Sequence, residues 1–543
     1  MRMIVTLLLS AGVASAGVGC ASQHVAPVQN RTLRLGFSAQ FHSLNPIYND
    51  GATGAALAAL AFSYLLRPLP DGRLVPDVAT AVPTLRNGGI APGGRTITYH
   101  LRRDVRWQDG VPLTSADVAF TVRTILDPRN TIGTRNPFDR IGSVETPDPY
   151  TVRLRLRAPD ASVVGLFLTP DVNAAILPAH LLARYASLDH VPYNALPVGS
   201  GPYRIVRWDR GSLVRFVRNP AYFGGAPQLA GLELRYSPDT ATTLIELQTG
   251  ELDGTLVANA AFFDRYRALP GKRITNVPYV AAYVLGFNTE RPLLANAAMR
   301  RALAQAVDEV ALARETFRGA VTAADATRGL FSYADDPGAP WPRYDPLAAA
   351  RALDALGWRR DAAGVRRRGG TALALTLVYS NVSAAYRSAA VLLQQQLARA
   401  GVRLDLQSFV YSQFYAQASD GGPVAGGRYD LALINYSTNI DPDQAWLLAC
   451  RERAPRGYNW SRYCNPRADA LLAASARAFD RTARVALLRR LQRLVARDVP
   501  FLPLWQAREI DVTPDWLGGF TPNGDLSFAS ARDWSVSASA SRR

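Results

Sequence analysis

The residues that would signal covalent or hydrolytic chemistry are few, and their spacing does not serve it. A phosphate-cradling loop needs Lys followed by Ser or Thr behind a Gly-rich turn, but the only lysine, Lys272, is followed by Arg273. The five histidines, His24, His42, His100, His180 and His190, hold no pair at helical metal-ligand spacing, and the two closest are not joined by a Glu motif. Gly199-Ser200-Gly201 lacks the spacing of a nucleophile elbow. Paired carboxylates stay open, because any Asp or Glu can meet another in space, so an exported glycosidase or peptidase remains a distant alternative. The pattern favours binding over catalysis, with no cofactor and no metal implied.

Arg2, an apolar run over residues 4–13 and then small residues give the order of a secretory signal, placed at residues 1–20. Elsewhere no stretch offers the roughly 20 uninterrupted apolar residues of a membrane span. Two cleavages compete. Ala14-Ser15-Ala16 suits ordinary signal peptidase, whereas Gly17-Val18-Gly19-Cys20 resembles a lipobox with Gly17 in place of the usual Leu. Cys450 and Cys464 lie close in sequence, leaving Cys20 as an odd thiol in an oxidising compartment that lipidation would consume. Cys450 and Cys464 either pair, closing a short loop worth roughly 3 kcal/mol, or remain separate thiols.

The length of 543 residues exceeds what one core supports, so at least two lobes are expected. A formal net charge of +17 would ordinarily invite nucleic acid, but export argues against it and the arginines are scattered among acids. The one dense run, Arg366-Arg367-Arg368, reads as a solvated hairpin tip between glycines. Alternation predicts strands over 32–37, 96–101, 151–156, 203–208, 213–217 and 232–236. Helices are expected over 55–66, from Ser115 to about Leu126 behind Thr114, and over 240–249 closed by Gly250. From 297 onward the pattern is that of a second α/β lobe, with strands at 373–379, 402–406 and 429–435 and helices over 384–400 and 482–498. Strand-like 501–505 and 510–512 then return to the first lobe.

Several blocks resemble one family, the dipeptide and oligopeptide type of ABC-importer solute-binding proteins (solute-binding protein family 5). They are Tyr99-His100-Leu101-Arg102-Arg103-Asp104-Val105-Arg106-Trp107-Gln108-Asp109-Gly110-Val111-Pro112-Leu113-Thr114, Pro197-Val198-Gly199-Ser200-Gly201-Pro202-Tyr203, Arg218-Asn219-Pro220, Tyr344-Asp345-Pro346, Gly357-Trp358 and Asn465-Pro466-Arg467-Ala468-Asp469. Their collinearity over nearly the whole mature chain carries the resemblance. It implies an α/β, two-lobed periplasmic-binding-protein architecture of the large class II type. Lobe I would take 31–285 and 505–543, with an extra subdomain at about 75–195, and lobe II 286–504. The crossings are expected near 285–288 and 501–505. The implied function is capture of an oligopeptide or another small polar solute in the cleft and delivery to an ABC permease and its ATPase subunits, at the periplasmic or outer face of the membrane and with a lipid anchor at Cys20. A sugar, opine or metal chelate is the alternative solute.

In peptide binders of this family an aspartate shortly after a strand like 429–435 pairs with the ligand's α-amino group. The matching segment is Tyr436-Ser437-Thr438-Asn439-Ile440-Asp441-Pro442, and Asn439 stands at the best-matching position. A buried ammonium without a carboxylate costs several kcal/mol, so the recognised group need not be a free N-terminus. Asp441 can substitute, or can start a helical turn with Pro442. Tyr411 matches a cleft aromatic, Tyr436 follows the strand that should face it, and Asn45, with Tyr48, is a further first-lobe candidate.

Overall fold

Alternation in the first strand buries Leu33, Leu35 and Phe37 on one side of β1 (Thr32–Phe37). The computed structural model describes residues 31–37, 41–48, 51–69, 71–132, 135–166, 175–317, 320–321, 323, 327–437, 441–522 and 527–537. Nine further strands join β1: β2 (Tyr203–Asp209), β3 (Leu213–Arg218), β4 (Gly231–Tyr236), β5 (Gly254–Thr255), β6 (Lys272–Phe287), β7 (Ala374–Ser380), β8 (Arg403–Phe409), β9 (Leu431–Ser437) and β10 (Phe501–Pro514). They form one ten-stranded sheet in the order β8-β7-β9-β6-β10-β5-β1-β4-β3-β2. Its central pair, β6 and β10, is long and antiparallel and serves both lobes.

Residues 272–278 of β6 pair with 514–508 of β10 in the first lobe, and 282–286 pair with 506–501 in the second. Between them the register breaks, so that Tyr279, Val280 and Ala281 oppose Ala507 alone. Pro278 has no N–H for the ladder, and the Gln506 side chain donates to Tyr279 O at 2.9 Å across the irregularity. Such a bulge concentrates bend and twist. Pairing of β6 with β9 begins at Ala281. The first crossing therefore falls at 279–281, earlier than the expected 285–288. On β10 it falls at Ala507, just past the expected 501–505.

The first-lobe core gathers Leu35, Tyr99, Trp107, Leu154 and Phe216. In the second lobe each face of the sheet has its own core, Leu285, Leu433 and Leu502 on one side and Val284, Ile434 and Phe501 on the other. The extra subdomain carries the antiparallel strands Thr96–His100, Thr151–Leu156 and Ile141–Asp148, in that spatial order, and the helix Ser115–Leu126. Thr114 N–H donates to Asp117 at 2.8 Å at the start of that helix. Cys450 and Cys464 are joined by a disulfide.

Three local expectations shift. The early helix is Gly51–Ala61 rather than 55–66, and its end is set by the Gly199-Ser200-Gly201 turn, whose Gly201 N–H donates to Ala61 O at 2.9 Å. The strand expected at 429–435 is Leu431–Ser437, so Tyr436 and Ser437 lie inside it. Arg366 is no solvated tip: it is buried, pairs with Asp354 at 2.7 Å and donates to the carbonyls of Trp358 and Ala400.

On β10, Glu509 and Asp511 share one face and are both buried. Val257 N–H donates to Asp511 Oδ1 at 3.2 Å, and the carboxyl also bonds with Glu509. Burial pushes the Asp511 carboxyl up to about 6, against the opposing pull of Val257 N–H and the bond with Glu509.

Two outcomes are expected. A Cβ on Gly201 would lie 2.5 Å from Ala61 C and Phe62 N, so Gly201→Ala should cost about 3 kcal/mol in denaturant unfolding. The folded state holds the Asp511 proton to higher pH than the unfolded chain does, so stability should fall as pH rises from about 4 to about 6 and then level off. Asp511→Asn should remove that fall and be more stable at pH 7 by about 2 kcal/mol, read from urea midpoints across the pH range.

Candidate functional site

Strand direction locates the site before any side chain is considered. Strands β1, β4 and β5 are parallel to one another, and β5 runs antiparallel to β10, which runs antiparallel to β6. Their carboxyl ends, at Phe37, Tyr236 and Thr255, therefore point the way β6 runs, toward the second lobe. There β9 opposes β6, and β7 and β8 are parallel to β9, so Ser380, Phe409 and Ser437 point back toward the first lobe. Two sets of carboxyl ends thus face one gap, spanned by the bulged crossing at 279–281 and 507. In open α/β sheets this is where ligands bind.

The residues just past those ends expose apolar groups. Val257, Val382, Val410 and Tyr411 are each about half exposed, with Tyr411 at 55%. Val257 holds φ at 55°, a strained value for a β-branched residue. Asp511 and Ile510 fix it there, accepting the N–H groups of Val257 and Ala258.

Tyr411 opens an aromatic path into the second lobe. It meets Tyr415 edge-on at 5.0 Å between centroids, Tyr415 lies 5.0 Å from Trp460, and Trp460 stacks on Tyr436 at 5.2 Å. The Tyr415 hydroxyl accepts Asn435 N–H at 3.2 Å, which pins the path to β9. Burial pushes the Tyr415 and Tyr436 phenols upward, so both stay neutral at physiological pH. The wall can offer area, dispersion and hydroxyl hydrogen bonds, which suit ligands of varied shape.

The sequence candidates scatter accordingly. Tyr411 is exposed at the gap, and Ser437 is exposed at the end of β9. Tyr436 is 1% exposed and supports the wall from behind. Asp441 is buried in a two-bond ion pair with Arg484 at 2.5 and 2.6 Å, and its Oδ1 also accepts Asp443 N–H. Burial pushes its carboxyl up and Arg484 pulls it down. It is committed within its own lobe rather than open to a ligand's amine. Asn45 is buried, donating to Asn194 Oδ1 at 2.9 Å and accepting Ile47 N–H, while Tyr48 donates to Asp189 at 2.8 Å. Both hold turns together. Thr438, Asn439 and Cys20 lie outside the described residues. Sequence reasoning missed Tyr415, Trp460, Val257, Val382 and Val410. The four-residue spacing of Tyr411 and Tyr415 was the one available signal. Among the described residues no cluster of three or more His, Cys, Asp or Glu could hold a metal.

Comparison with known proteins agrees with this geometry. The peptide transport periplasmic protein SapA of Salmonella typhimurium is 27% identical over 566 residues, covering 97% of this chain and 98% of SapA. The oligopeptide-binding protein AppA of Bacillus subtilis, solved with a nonapeptide, superposes with a TM-score of 0.74 at 21% identity, covering 94% of this chain and all of AppA. NikA of Brucella suis, solved with Fe(III)-EDTA, superposes at 0.77 and 22% identity, with 94% of this chain and all of NikA covered. Residues 73–454 match the family described as bacterial extracellular solute-binding proteins, family 5 Middle. With a gap between two lobes, carboxyl strand ends on both sides and a family match over most of its length, the chain belongs to the family 5 solute-binding proteins of ABC importers.

Proposed function

We propose that the chain captures an oligopeptide or a comparably sized polar solute between its lobes and hands it to an ABC permease driven by ATPase subunits. The observation that carries this reading is the exposed apolar rim, Val257 on one side and Val382, Val410 and Tyr411 on the other, at the facing carboxyl ends of the two halves of the sheet. A solute touching both sides holds the lobes together, so its binding energy shifts the open–closed equilibrium. SapA and AppA, by name, point to peptides.

A specific observation supports a second reading, a non-peptide solute. Asp441, the acid nearest the expected amine site, is taken up by Arg484, and Asn439 carries no charge. NikA was solved with a metal chelate. Native mass spectrometry of the mature protein, followed by thermal-shift screening against peptides, sugars and chelates, separates the two. Peptide import requires a co-purifying peptide or a peptide-dependent rise in Tm, whereas stabilisation by sugars or chelates alone would overturn it.

For whichever solute binds, Tyr411→Ala should weaken affinity roughly tenfold while leaving Tm of the free protein nearly unchanged, because the ring is half exposed. Calorimetric titration checks this. Lipid anchoring at Cys20 is the proposed mode of retention, consistent with Gly17-Val18-Gly19-Cys20 and with Cys450 and Cys464 being joined to each other. Cys20→Ser should move the protein from the membrane fraction to the soluble one. An unchanged distribution together with an N-terminus at Gly17 would refute it.

A further inference from the structure

The first lobe, mainly through its extra subdomain, touches the second lobe through a short set of polar contacts and the Phe479 ring. Arg140, just before the strand Ile141–Asp148, is held in its own lobe by Asp160 at 2.7 Å and Ser162 Oγ at 2.5 Å. Its other terminal nitrogen reaches across to Asp443 Oδ2 at 3.2 Å. Beside it, Ala161 N–H donates to Ala476 O at 2.7 Å, a backbone bond between the lobes. Arg481 donates to the carbonyls of Asp71 and Gly72, and the Phe479 ring lies so close to Gly94 that a Cβ there would sit 2.1 Å from it.

Two features make this seam a clasp rather than a permanent interface. A groove of about 620 Å³ runs along it, lined by Arg140, Asp160, Asp443 and Ala476 among others, so apart from Phe479, which packs against the first-lobe core, polar bonds hold it shut. The second feature is what Asp443 is attached to. Its N–H donates to Asp441, Asp441 is locked to Arg484, and its Oδ1 caps Ala445 N–H. Asp443 is thus tied into its own lobe through Asp441 and into the other lobe through Arg140.

We propose that Arg140 is a positioning residue for solute capture: by holding Asp443 it clasps the extra subdomain onto the second lobe. The proposal rests on the reading that the solute is enclosed between the lobes. It assigns the extra subdomain a role, namely to set how firmly the closed state is held, independently of which solute is inside. Neither Arg140 nor Asp443 has to touch the solute.

The test compares the mature wild type with Arg140→Ala and Asp443→Asn. Asp443→Asn is the cleaner variant, because Asn retains the oxygen that caps Ala445 while facing Arg140 with an amide donor. Small-angle scattering of the ligand-free proteins should give a larger radius of gyration for both variants. Stopped-flow release of tetra-alanine should be roughly tenfold faster with little change in the association rate, as expected when one partner of a partly buried charge pair is removed. Identical scattering and identical release in variants with unchanged thermal unfolding would overturn the clasp, as would a wild type already fully open in scattering. If the wild type does not bind tetra-alanine, it is the peptide reading that suffers, and the scattering comparison still decides the clasp.

Discussion

Everything in this molecule hangs on two antiparallel strands that pass through both lobes. Hydrogen bonding between β6 and β10 is continuous enough to make one ten-stranded sheet, and its larger irregularity is where three residues of β6 face a single residue of β10, with a one-residue shift further on between Tyr283 and Val284. An unbroken ladder would resist bending. A loop connection would let the lobes tumble. The bulge, with Pro278 unable to donate and Gln506 filling in from its side chain, gives a bend of defined position while the pairing continues on either side. Because strand direction is inherited across the sheet, the same pair also forces the carboxyl ends of both halves toward a common gap.

The fold was largely legible and the site only partly so. Strand and helix periodicity located most elements within a few residues, and the collinear blocks carried the architecture, because backbone requirements leave marks in sequence: Gly199 and Gly201 sit where Ala61 and Phe62 leave no space for a side chain. A two-residue error in β9 had a larger consequence for the site. It moved Tyr436 from the mouth of the gap into the sheet, where pleating turns it inward against Trp460. Asp441 was ambiguous for a different reason: its partner Arg484 is 43 residues away, and no local pattern announces that pairing. The same holds for Val257, whose exposure follows from β5 ending beside β10.

The basic composition also finds an explanation within the fold. Buried guanidinium groups at Arg300 and Arg366 donate to main-chain carbonyls, Arg300 to those of Leu294, Ala295, Asp498 and Val499. At Asp498, Val499 and Ala400 these are carbonyls that helix ends leave without partners. Arg484 neutralises a buried carboxylate, and Arg508 binds Asn276 at 2.7 Å beside the bulge. Part of the net charge of +17 is therefore internal scaffolding rather than a surface for polyanions.

The neighbours of β10 bear on how the chain is made. The second lobe is drawn from one uninterrupted stretch of sequence, whereas the first-lobe sheet needs β1 from the beginning and β10 from the end, joined through β5. As the chain is made from its N-terminus onward, the second lobe can collapse on its own contacts while the first waits with an open sheet edge beside β5. Pairing between the ends of a long chain is slow. For such a topology, the interval between appearance of the first strand and arrival of the last is when the nascent protein is most exposed to proteolysis and aberrant strand pairing, and the residues that close that interval also carry the bend.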